Sequence, residues 1–156
     1  MPNWCEGTLK IRGRVENILT FLKEGLGGTA RLDGSTRAIR YEEEEGYLYL
    51  MAEWGFHIRG TDRHFIESEN LEFYFDGESN ESEIYCMENF KAAWKIKAEE
   101  LREISEKYKV DIKIYGFESG MEFNQDIEII GGTIVKDEKI TFTSYDWECP
   151  MPNLGG

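Results

Sequence analysis

The chain has 156 residues, enough for one domain with a single buried core and no disulfide or metal staple. Its 40% hydrophobic and 13% aromatic content argues for a folded chain and against a disordered acidic tail. A formal charge of −13 argues against direct binding to DNA, RNA or an anionic membrane, because polyanion binding rests on Lys and Arg neutralising phosphates.

Residues 4–12 alternate as a strand, with Leu9 and Ile11 inward and Lys10 and Arg12 outward. In VENILTFLKEGLGG, Val15, Ile18, Leu19, Leu22 and Leu26 recur at helical spacing, and Gly27 and Gly28 stop the helix. RLDGSTRA reads as loop, while YLYLMAEW, NLEFYFDG and EIYCMEN alternate as strands between turn formers. A longer helix is expected over residues 89–109. Phe90, Trp94, Leu101, Ile104 and Tyr108 form its apolar stripe, and Lys95 pairs with Glu99 and Glu103 with Lys107 outside. VDIKIYGF, MEFNQDIEII and KITFTSYDW read as three closing strands. The order β-α-β-β…α-β predicts an α+β two-layer sandwich, an antiparallel sheet with two helices on one face and extra C-terminal strands. The prolines, Pro2, Pro150 and Pro152, lie near the ends, so residues 1–149 read as one domain and 150–156 as a flexible tail.

Cys5, Cys86 and Cys149 are odd in number, widely spaced and without a C-x-x-C pair, which makes a disulfide framework unexpected and a reducing cytoplasm the natural compartment. Cys5 and Cys86 read as small buried apolar residues, and Cys149 as the exposed thiol. No basic start with an apolar run behind it suggests a signal peptide, and no run of roughly eighteen apolar residues suggests a membrane helix.

MPNWCEGTLKIRG, AEWG at residues 52–55, FKAAW at 90–94 and YGFESGMEF at 115–123 resemble the YubB-type ferredoxin-like domain family of phages, plasmids and other mobile elements. The matches follow the family order over most of the chain, and the opening M-P-N-W-C is the most specific. The chain departs from the family pattern after the A-A-W run, where KIK replaces prolines, and over residues 58–82, which are more acidic. The resemblance implies a ferredoxin-like fold and a mobile-element origin, with no activity and no catalytic residues attached.

Candidate chemistry is sparse. In HIRGTDRH, a two-residue loop at Gly60 and Thr61 would set His57 opposite His64, but zinc needs three or four ligands and no thiol is near in sequence. GLGGTARLDGS is glycine-rich, yet it follows a helix where a phosphate loop follows a strand, and it lacks G-K-[ST]. Trp4, Trp54, Trp94 and Trp147 read as core. No cofactor and no catalytic residue is assigned.

Charge is more informative. Residues 1–40 carry a balance of +3, residues 41–89 one of −12. The acids Glu42, Glu43, Glu44, Glu45, Glu67, Glu69, Glu72, Asp76, Glu78, Glu81 and Glu83 are interleaved with aromatics such as Tyr74. The bland account is edge-strand protection and a solvated loop. The sharper one is a partner-binding acidic face that occupies an Arg/Lys groove otherwise used by nucleic acid. The expectation is therefore a non-enzymatic mobile-element protein that inhibits a basic, nucleic-acid-binding host defence nuclease of the CRISPR or restriction kind. A small-molecule-binding module or enzyme using a sheet–helix cleft, and a self-associating structural protein pairing edge strands, are the alternatives.

Overall fold

A computed structural model describes residues 1–76 and 82–156. Long alternating runs become strands: β1 (Trp4–Arg14), β8 (Ser82–Ala93), β9 (Asp111–Glu118), β10 (Phe123–Ile130) and β11 (Thr133–Thr141). Shorter ones are β2 (Leu26–Gly28), β3 (Arg40–Glu44), β4 (Tyr47–Met51), β5 (Phe56–Ile58), β6 (His64–Ile66) and β7 (Asn70–Tyr74). The helices are α1 (Val15–Thr20), which runs on into a π-helical turn at Phe21–Gly25, α2 (Ala98–Tyr108) and the short α3 (Tyr145–Glu148). Together they make an α+β fold of mostly antiparallel sheet. An eight-stranded sheet is ordered β11-β10-β9-β1-β8-β6-β5-β2, and a three-stranded sheet β3-β4-β7.

Register places the core. Leu9 faces Ile114, which faces Ile127, and Ile11 faces Ile112, which faces Ile129. These two apolar rows are buried with Ile18, Phe21 and Leu22 from the first helix and with Leu101 and Ile104 from α2. Alternation in the small sheet sends Leu48, Leu50, Leu71 and Phe73 into the same core.

Several expectations change. The helix expected over residues 89–109 begins only at Ala98. Its first part belongs to β8, where Phe90 faces Gly7 and Ile66, and Ala92 faces Cys5 and His64. Pairing on both sides outweighs the helical spacing of Phe90 and Trp94, and Trp94 takes a φ of 69° and stays exposed. Within α2 the outer pairs are Arg102 with Glu99 (2.6 Å) and Glu106 (2.9 Å), not those expected. The run KITFTSYDW is divided. β11 ends at Thr141, and Tyr145 turns inward to donate its hydroxyl to Asn124 Oδ1 at 3.1 Å.

The cysteines exchange places. Cys149 is buried beside Phe117 and Tyr145, whereas Cys86 is exposed, because it shares a register position with outward-facing Lys10. Trp147 is exposed rather than core. Residues 150–156, expected as a flexible tail, lie against β1: the Trp4 and Gly156 amides each donate to the other residue's carbonyl, at 3.1 and 2.8 Å, and Gly155 N–H donates to Glu6 Oε2 at 3.0 Å.

Candidate protein-binding face

The first three glutamates of the run form strand, and Glu45 enters the turn. Gly46 takes the positive φ of 79° that the two-residue connection needs, and Glu44 then pairs with Tyr47, Glu43 with Leu48 and Glu42 with Tyr49. Across β4 and β7, Tyr47 pairs with Tyr74, Tyr49 with Glu72 and Met51 with Asn70. Since successive side chains alternate, one face of this sheet is buried and the other carries two rows, Glu42–Tyr49–Glu72 and Glu44–Tyr47–Tyr74. The rings form a group: Tyr47 and Tyr49 are nearly parallel with centroids 6.4 Å apart, and Tyr47 lies 4.8 Å from Tyr74. Lost hydration raises the Tyr47 hydroxyl above its ordinary pKa, and the charges of Glu72 and Glu42 add to this. Tyr74 is 68% exposed even with the Tyr47 ring against it.

Strand alternation divides the acids named above. Glu42, Glu44, Glu72 and Tyr74 share the outer face, with Glu45 in the turn at its end. Glu43 points the other way and is neutralised by Lys23 at 2.8 Å. Glu67 is paired with Lys91 at 2.5 Å, and Glu69 lines a hollow with Arg37, Arg40 and Glu53. Glu83, on β8 opposite Gly13, accepts a hydrogen bond from the Asp76 amide at 3.3 Å. Glu78 and Glu81 lie outside the described residues. Tyr47 and Tyr49 were not singled out from the sequence, although the alternation in YLYLM carried the signal.

The histidine pair is not formed. Thr61 donates both its amide (3.3 Å) and its hydroxyl (2.6 Å) to the Ile58 carbonyl, which makes the connection wider than two residues, and His57 pairs with Phe65 instead. His64 is buried. Its Nε2 accepts the Lys97 amide at 3.1 Å, so the proton sits on Nδ1, which is 3.2 Å from Glu100 Oε2 but misaligned for a hydrogen bond. Burial, then the Lys97 charge, pushes its pKa down to about 4. Among the described residues no group of three or more His, Cys, Asp or Glu has metal-binding geometry.

The inner side of α2 is filled by Leu101, Ile104 and Tyr108, leaving core where a sheet–helix cleft was expected. A hollow of about 680 Å³ lies instead over Thr8, Lys10, Lys113 and Tyr115. These alternate with the core residues and so occupy the opposite face of the large sheet. Glu67 and Glu88 offset its lysines in charge. Among the described residues no helix is long and apolar enough to cross a membrane. A scan against family models and searches of curated proteins and of solved structures returned no match.

Proposed function

We propose that this chain is a non-enzymatic interaction protein of a mobile element, and that the outer face of its three-stranded sheet docks on a basic groove of a nucleic-acid-binding host protein. The observation that carries the reading is the pair of rows Glu42–Tyr49–Glu72 and Glu44–Tyr47–Tyr74. Carboxylates at strand spacing match the charge of a groove that takes phosphates, and the half-buried Tyr47 and Tyr49 with the exposed Tyr74 supply rigid, amphipathic contact area. The negative field of a chain at −13 speeds encounter, and the tyrosine contacts slow release.

A ferredoxin-like frame and the YubB-type resemblance fit this reading. The neighbours β9-β1-β8-β6, with a helix after β1 and another after β8, follow the strand order of a split β-α-β pair. The small sheet is an insertion on either side of β5 and β6, β3 and β4 before them and β7 after, and its outer face is available to a partner.

The test is competition: purified DNA-binding nucleases of the CRISPR and restriction kinds are loaded with labelled DNA and titrated with the chain across a salt series. Displacement that weakens steeply with salt supports the reading. A chain that displaces DNA from none of them, or displaces it independently of salt, removes the target class.

A further inference from the structure

A second hollow has the opposite character. Lys23 from the π-helical turn, Gly27 and Gly28 from β2, Arg37 from the loop after it, His57 from β5 and Arg59 just beyond β5 enclose about 420 Å³. No Asp or Glu lines it, although acids outnumber bases 31 to 18 in the chain. Arg59 makes no ion pair with any described residue, and its side chain lies along Gly27, with Nε 2.9 Å from where a Cβ there would stand. Any larger residue at 27 would push the guanidinium away. At Gly28 a Cβ would collide with the Arg37 carbonyl, so this glycine lets the Arg37 segment close over β2.

Arg37 and Lys23 each hold one carboxylate that does not line the hollow, and the Arg37 guanidinium also lies 5.0 Å from the Trp54 ring centroid. Arg37 Nε is 3.2 Å from Glu53 Oε2, but both side chains are more than half exposed and such pairs hold weakly. Lys23 is held by Glu43 at the rim. His57 Nε2 is committed to the carbonyls of Thr61 (3.0 Å) and Asp62 (3.2 Å), which leaves Nδ1 unpartnered among the described residues.

We infer that this hollow binds the phosphoryl group of a small phosphorylated molecule. Arg59 brings a guanidinium without an ion pair among the described residues, and Arg37 and Lys23 line the hollow from two other segments. A dianion with three terminal oxygens would gain that free cation and could draw on two more that now hold single carboxylates. Nucleic acid is disfavoured, because a longer polyanion would leave the hollow past Glu43 and Glu53. The recognition does not depend on a phosphate loop. Gly27 and Gly28 of GLGGTARLDGS lie in the short strand β2 after a helical segment, and side chains supply the charge.

The site is separate from the tyrosine–glutamate face, and its test reads binding alone. Inorganic phosphate and pyrophosphate are titrated at constant ionic strength, by thermal shift and by amide chemical shifts, against acetate and citrate. Saturable binding of pyrophosphate, with shifts centred on Gly27, Gly28 and Arg59, is expected. R59Q and R37Q should weaken it at least about tenfold, the loss of one charge-assisted contact. K139Q, on β11 at the far edge of the sheet, should leave it unchanged. Absence of saturable binding, shifts confined elsewhere, undiminished binding in R59Q and R37Q, or citrate binding as tightly as pyrophosphate each overturns the assignment.

Discussion

Tyr49 and Glu72 stand directly opposite each other on β4 and β7, with Glu42 on the other side of Tyr49. The neighbouring residues Leu48, Leu50, Leu71 and Phe73 face inward and are buried. A one-residue step along the strand therefore separates the part of this sheet that holds the fold from the part available to a partner. Leu48→Ala should cost about 2–5 kcal/mol in urea unfolding, the range for emptying a packed leucine site. Tyr49→Ser should change stability by far less while weakening partner binding. Equal destabilisation by both would mean that the tyrosine face is structural.

The Gln125 side chain clamps the link between β8 and α2. Its Oε1 accepts the Ile96 amide and its Nε2 donates to the Ile96 carbonyl, both at 2.8 Å and both buried. Gln125→Leu leaves two buried backbone groups unpaired and should destabilise the chain by about 2–4 kcal/mol. A melting temperature equal to wild type would contradict this.

His64 must remain neutral to accept the Lys97 amide. With a folded pKa of about 4 against an ordinary 6.5, the unfolded state binds the proton more tightly. The stability contribution is present above about pH 6.5 and is lost as pH falls towards 4. Lys97 and His57 oppose the protonated ring, while Asp62 and Glu100 favour it. His64→Gln keeps an acceptor without titrating. Wild type should lose roughly 3 kcal/mol more than this variant between pH 7 and pH 4, from about 1.4 kcal/mol per pKa unit. Parallel stability curves would refute the buried neutral imidazole.

Thiol labelling of the native chain should modify Cys86 quickly and leave Cys5 and Cys149 protected. Burial, then the charges of Glu118 and Glu6, raises Cys5 to about 12. Fast labelling of a second thiol would contradict the burial of Cys5 in the main core or of Cys149 beside Phe117.

The strands with clean alternation, β1, β4, β7, β9 and β10, were legible from periodicity, as was the buried stripe Leu101, Ile104 and Tyr108 of α2. What escaped depends on partners distant in sequence. Phe90 and Ala92 fit a helical pattern until β1 and β6 flank them. Four consecutive glutamates resemble a solvated turn until β4 pairs with the first three. The acidic run was visible as charge, but which carboxylates share a face follows from register and from single cations such as Lys23 and Lys91, which composition does not locate. The cationic hollow was masked for the same reason: its arginines are scattered through a chain whose overall charge is strongly negative.

Charge reversal tests the central claim most directly. In the DNA-displacement assay, Glu42→Lys/Glu44→Lys/Glu72→Lys should weaken inhibition by about 100-fold or more, in keeping with close charge pairs across an interface. Glu69→Lys/Glu83→Lys, off that face, should stay within about threefold of wild type. Full inhibition by the first variant, or equal loss in both, would contradict a partner site on the outer face of β3, β4 and β7.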